Sequence, residues 1–97
     1  MITGKQKRYL RNLANSVKAT HQLGKEGLSC SFIEEVKRSL KKRELIKISV
    51  LQSSPLKKKQ AAEKTAELTG SELVQVIGRK VVLYKKSEES PVIKLPE

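Results

Sequence analysis

The hydrophobic period switches along this chain, and the order of the switches limits the folds open to it. Val17, Ala19, His21 and Leu23 alternate with Lys18, Thr20 and Gln22, the two-residue period of a half-buried strand. Phe32, Ile33, Val36 and Leu40 then repeat at helical spacing, after which Ile46, Ile48 and Val50 alternate with Lys47 and Ser49. Strand, helix and strand in that succession predict an α/β domain, in which parallel strands joined through a helix cross over right-handedly.

The flanking segments extend the pattern. Thr3 and Gln6 stand at capping-box spacing and Tyr9, Leu10, Leu13 and Val17 follow on one stripe, so a first helix is expected over residues 4–16. Its other face carries Lys5, Lys7, Arg8 and Arg11, readable either as solvated charge or as one edge of a binding surface. Ser29 or Ser31 can cap the second helix, which ends among Lys41, Lys42 and Arg43, cations suited to the negative end of its dipole. Ser54 and Pro55 supply a cap and a first-turn proline, and Gly70 a stop, predicting a third helix over residues 56–69 with small Ala61, Ala62 and Ala66 for close packing. Residues 73–77 and 81–84 are β-rich runs around Gly78-Arg79, the pattern of a hairpin. The expected fold is a two-layer α-β-α-β-α-β-β arrangement with a four-stranded mixed sheet. A single domain is expected at residues 1–86, followed by a polar tail at 87–97 in which only Val92, Ile93 and Leu95 offer anchors.

Charge narrows the function. Lys and Arg total 21 against 10 acidic residues, a net charge of +11 on 97 residues, which favours polyanionic partners. All the acidic residues are Glu, and the lone Cys30 can close no intrachain disulfide. Neither a nucleophile–base pair, a metal-ligand cluster nor a Walker-type loop is visible, so the expectation is a non-enzymatic protein without metal, cofactor or small-molecule substrate. No apolar run approaches the ~20 residues that span a bilayer, which points to a cytoplasmic protein with no membrane partner. Tyr9, Phe32 and Tyr84 are too few for a base-stacking platform, so backbone and shape recognition should dominate. Tyr9 and Phe32 read as core, Tyr84 as either the end of the hairpin or a base contact, His21 as partly buried and structural, and Cys30 as a buried structural thiol.

The most informative segment is Gly24-Lys25-Glu26-Gly27, set between a strand and a helix start. Glycines let main chain approach a ligand closely, and amides near a helix N-terminus attract an anion. Two glycines three apart are also ordinary turn residues, so these four residues by themselves leave both readings open.

Strand, GxxG and helix in that order resemble the backbone-clamping loop of KH-type RNA-binding domains. A wider set is similar to the CRM domain family, named for chloroplast RNA splicing and ribosome maturation. It comprises Ile2-Thr3-Gly4-Lys5-Gln6-Lys7-Arg8-Tyr9-Leu10-Arg11, Gln22-Leu23-Gly24-Lys25-Glu26-Gly27-Leu28, Phe32-Ile33-Glu34-Glu35, Glu44-Leu45-Ile46-Lys47 and Leu73-Val74-Gln75-Val76-Ile77-Gly78-Arg79. The resemblance implies a sheet like that of the carboxy-terminal domain of translation initiation factor three, with the GxxG loop exposed for RNA. The chain length resembles that of the free-standing bacterial YhbY-like members, which associate with precursors of the large ribosomal subunit. It implies a monomeric ribosome assembly factor whose partner is RNA, the 23S rRNA of pre-50S particles. Gly24, Lys25, Glu26 and Gly27 would grip the strand, with Lys5, Lys7, Arg8, Arg11, Arg79 and Lys80 as the surrounding basic surface. The alternative is a general nucleic-acid-binding or protein-interaction module of the translation machinery. Lys57-Lys58-Lys59 departs from the acidic or mixed residues that family members often carry there, leaving open whether the run contacts phosphate.

Overall fold

The first helix starts where its capping box predicts. Thr3 Oγ1 accepts the Gln6 amide at 3.1 Å, and Gln6 Oε1 accepts the Thr3 amide at 2.9 Å. The structure, a computed structural model, describes residues 2–88 and 91–96. Residue 1 of the expected domain and residues 89, 90 and 97 of the expected tail lie outside the described residues. The elements are α1 (Gly4–Ala14), β1 (Ala19–Leu23), α2 (Cys30–Arg43), β2 (Leu45–Val50), α3 (Lys58–Thr69), β3 (Glu72–Ile77) and β4 (Lys80–Tyr84).

The four strands form one mixed sheet in the order β1-β2-β4-β3. β1 and β2, joined through α2, run parallel, and β4 pairs antiparallel with both β2 and β3. Register then sorts residues between two faces. Ile46 pairs with Leu83 and Ile48 with Val81, and these four join Leu23, Val36, Leu40 and the buried alanines of α3 in one core cluster. Leu45 pairs with Tyr84 and Lys47 with Val82, and here Leu45, Val82 and Tyr84 pack against Leu10 and Ala14 of α1. The expected α/β class and mixed sheet are present, but α1 adds a third layer to the two expected. The reason lies in β2 and β4, which are apolar on both faces at this end and need cover on both sides.

Four local expectations change in the structure, the first being that α1 ends at Ala14 rather than residue 16. α3 begins at Lys58 rather than residue 56, because Ser54 turns inward on its own segment. Its Oγ accepts the Leu56 amide at 3.2 Å and donates to the Leu56 carbonyl at 3.0 Å, so Lys57 becomes the N-cap without a side-chain cap bond. Tyr9 is not core: the buried stripe of α1 runs through Leu10 and Ala14, one position away, and leaves the residue 38% exposed. Cys30, the first residue of α2, is exposed as well, while Ser29 caps that helix through the Phe32 amide at 3.2 Å. Tyr84 is buried and completes the hairpin, and Phe32 packs half-buried on the α2 side. His21 is also half-buried, 3.2 Å from Ser39 Oγ through Nε2. Burial holds its imidazole below the ordinary value, with Glu35 opposing that effect and Arg43 adding to it.

The segment after β4 folds back across the α1 side. Ile93 and Leu95 pack on the cluster of Leu10 and Tyr84, and Gln6 Nε2 donates to the Pro96 carbonyl at 3.0 Å. Glu44 holds this strap. It follows α2 with φ +63, is fully buried, and accepts the amides of Ser87 at 2.6 Å and of Val92 and Ile93 at 2.7 Å each. No helix among the described residues is long and apolar enough to cross a membrane.

Candidate nucleic-acid interface

Leu23, buried at the end of β1, delivers the chain into a tight bend. The Gly27 amide donates to the Gly24 carbonyl at 3.0 Å, which places Lys25 and Glu26 at the exposed corners. One of the amides expected to be free is therefore used to close the turn. Gly27 has φ +67, and a Cβ there would lie 3.1 Å from Pro55 Cγ, so both backbone angle and space call for glycine. A Cβ at Gly24 would meet only ordinary contacts at 3.6 and 3.7 Å, from Leu51 and Ser53. The bend is thus backed by the β2–α3 connection while its tip faces solvent. Among the described residues the Lys25 and Glu26 side chains form no hydrogen bond or ion pair.

This asymmetry gives a direct test. Gly27→Ala is expected to cost about 1–2 kcal/mol through left-handed strain and contact with Pro55, whereas Gly24→Ala should stay within about 0.5 kcal/mol. Thermal unfolding of both variants checks it, and equal losses would contradict the geometry.

Two other segments arrive at the same end of the sheet. Leu51 N–H donates to the Leu23 carbonyl at 2.9 Å, and Val50 N–H donates to the Arg79 carbonyl at 2.7 Å. The end of β2 therefore lies between the glycine bend and the Gly78-Arg79 turn. Arg79 is exposed, and Lys80 reaches Ser49 Oγ at 2.6 Å. Pro55, in contact with Gly27, leads into the exposed run Lys57-Lys58-Lys59. Those cations stand where a helix dipole already presents positive potential, with no acidic residue in the first turn to offset them. Lys25, Lys57, Lys58, Lys59, Arg79 and Lys80 thus share one end of the molecule, with Glu26 the acidic member of the bend.

The first helix contributes differently. Lys5, Lys7, Arg8 and Arg11 lie on α1, whose N-terminal turn sits near Glu72 and Tyr84, at the far end of the sheet from the bend. Arg11 Nε donates to the Val74 carbonyl of β3 at 3.4 Å. Gly24, Lys25, Glu26, Gly27, Arg79 and Lys80 are therefore brought together, and the α1 cations are not. On the sheet face that α1 shares, Gln22 pairs with Ser49 and Ser49 with Lys80, a polar strip continuing from the bend. Sequence reasoning did not assign Gln22 and Ser49 to the site, although the alternation of β2 already puts Ser49 and Lys47 on one face.

The family model for the CRS1 / YhbY (CRM) domain matches residues 2–85. The Bacillus subtilis protein YqeI, which bears the name "Probable RNA-binding protein", is 45% identical over 96 residues, covering 99% of this chain and all of that one. A Haemophilus influenzae protein named "RNA-binding protein" is 34% identical over 91 residues, covering 94% of this chain and 92% of that one. The solution structure of a Staphylococcus aureus protein superposes with a TM-score of 0.82 at 49% identity, covering 99% of this chain and 100% of that one.

Proposed function

The chain belongs to the CRS1/YhbY (CRM) domain family, and on that footing we propose that it is an RNA-binding protein acting as an assembly factor of the large ribosomal subunit. The observation that carries this reading is the meeting of the Gly24–Gly27 bend, with Lys25 at its solvent-facing tip, and two cationic segments, at residues 57–59 and 78–80, at one end of the sheet. The names of the relatives support RNA as the partner.

In this reading the RNA backbone lies across the Gly24–Gly27 bend. Lys25 supplies a mobile point charge, Arg79 forks onto phosphate oxygens, and Lys57-Lys58-Lys59 extends the contact along the strand. With Tyr9 as an exposed ring on α1 and Tyr84 buried, few aromatic faces are available for stacking, so shape and phosphate contacts dominate recognition. The target is 23S rRNA in pre-50S particles, bound by a cytoplasmic monomer. Residues 1–86 form the binding domain, and the described part of the polar tail, through Val92, Ile93 and Leu95, serves as a structural strap outside the RNA surface.

Binding is expected to weaken linearly in log–log form as salt rises, and Lys25→Ala should reduce that slope by about one. Filter binding of a structured rRNA fragment across a salt series measures this, and a flat salt response would end the proposal. Competition by duplex DNA of equal length should be weaker than by RNA, because only RNA offers A-form geometry and 2′-hydroxyls. Equal competition would favour a general nucleic-acid module instead.

A further inference from the structure

Cations gather a second time at the opposite end of the molecule. α2 runs away from the glycine bend, and its last turn lies beside the segment leaving β4, where Lys85 N–H donates to the Glu44 carbonyl at 2.9 Å. Between them lies a cleft of about 520 Å³ lined by the cations Lys37, Arg38, Lys41, Lys85 and Lys86, which outnumber the two carboxylates of its wall, Glu34 and Glu88. Lys37 is partly neutralised by Glu34 at 3.9 Å, and Lys85 Nζ donates to the Thr69 carbonyl at 3.4 Å. Arg38 and Lys41 are exposed and, among the described residues, carry no hydrogen bond or ion pair. An exposed guanidinium with its fork unused, set beside ammonium groups across a cleft, suits phosphate oxygens.

The two basic regions are separate on the helical side. Between the bend and the cleft, α2 exposes Glu35, and α3 exposes Glu63 and Glu67 with Lys64 beside them. A single phosphate backbone following the helices from one region to the other would cross these carboxylates, which repel it.

We propose that the far-end cleft is a second RNA-backbone surface, so that one copy of the protein holds two RNA segments and bridges them. This rests on the RNA-binding reading above and adds to it an activity, the joining of distant RNA segments. Holding both on one rigid body turns the encounter between segments into an intramolecular event at raised effective concentration.

The test immobilises one structured rRNA hairpin, adds the full-length protein, and measures retention of a second, labelled hairpin with no complementarity to the first. Sedimentation of the same mixture gives the number of protein copies per complex. Retention of the second RNA through one protein copy is expected. The triple variant Arg38→Gln/Lys41→Gln/Lys86→Gln, checked for folding by circular dichroism, should lower that retention roughly tenfold or more, while affinity for the first hairpin falls only by the few-fold that the loss of any three cations costs near 0.1 M salt. If the protein binds the first hairpin but retains no second one, or bridges only through two protein copies, the proposal is overturned and the RNA-binding reading stands. If the triple variant loses both RNAs together, a single continuous surface replaces the bridge. If no RNA is bound at all, both readings fall.

Discussion

Glu44→Ala is expected to lower folding stability by roughly 3–5 kcal/mol, the cost of breaking a buried charged network. The carboxylate is fully buried and accepts three main-chain amides, from Ser87, Val92 and Ile93. Alanine would leave those donors without their acceptor and release the strap that carries Ile93 and Leu95 onto the α1 cluster. In a domain of this size the loss corresponds to a fall in Tm of about 12 °C or more. Glu44→Gly removes the same acceptor but relieves the strain of φ +63, so it should be less damaging than alanine by about 1 kcal/mol.

Acid should reproduce part of the effect. Burial by itself would raise the Glu44 pKa, but the amides of Ser87, Ile93 and Val92, helped by Lys86, outweigh it and hold the carboxyl below its ordinary value. A depressed folded-state pKa stabilises the native state above the unfolded value of about 4.3, and that stabilisation is lost as pH falls through the folded-state value. Urea unfolding at neutral pH, with amide exchange of Val92 and Ile93 between pH 6 and pH 3, reads both effects. A Glu44→Ala protein within about 1 kcal/mol of the parent would show that the strap carries little of the fold.

None of this was visible in the sequence, where Glu44 stood only as one letter of a family-like motif. Its hydrogen-bond partners lie 43 to 49 residues away, beyond the reach of periodicity or capping rules. Local chemistry was legible where it acts locally: the Thr3–Gln6 box, the β2 strand, the Gly70 stop and the hairpin at Gly78-Arg79 all appear as read. Ser54 and Pro55 carried a plausible helix start, but tertiary contact claimed Pro55 for the back of Gly27. The placement of α1 was hidden for a similar reason. The run from Val81 to Tyr84 shows that β4 is apolar, yet only its register with β2 reveals that it needs a helix on each side.

The candidate interface divides in the same way. The glycine bend is contiguous and could be read directly, whereas its union with Lys57-Lys58-Lys59 and Arg79 depends on a strand order, β1-β2-β4-β3, that departs from chain order. The helical pattern of α1 showed a basic face but not that its first turn lies at the opposite end of the sheet. If the bend and the two cationic segments act as one surface, removing a positive charge from each should have effects that add nearly in full, since no two of them share a hydrogen-bond partner.

Lys25→Gln/Lys58→Gln/Arg79→Gln is therefore expected to weaken RNA binding on the order of a hundredfold near 0.1 M salt. Each lost phosphate contact removes roughly 0.7–0.9 from the slope of log affinity against log salt, so three remove about two to three, and curves for parent and variant should converge towards 1 M salt. All three side chains are exposed, so unfolding temperature should hardly move, and a loss of binding accompanied by unfolding would not count as support. The comparison that isolates the loop end is Lys5→Gln/Lys7→Gln/Arg8→Gln, the same number of charges taken from α1. If the bend is where the backbone rests, the α1 triple loses only the long-range attraction shared by any cation on the protein, a few-fold at 0.1 M salt. Equal losses from the two triples would mean that RNA responds to net charge rather than to the bend, and the assignment of residues 24–27 as the grip would have to be abandoned.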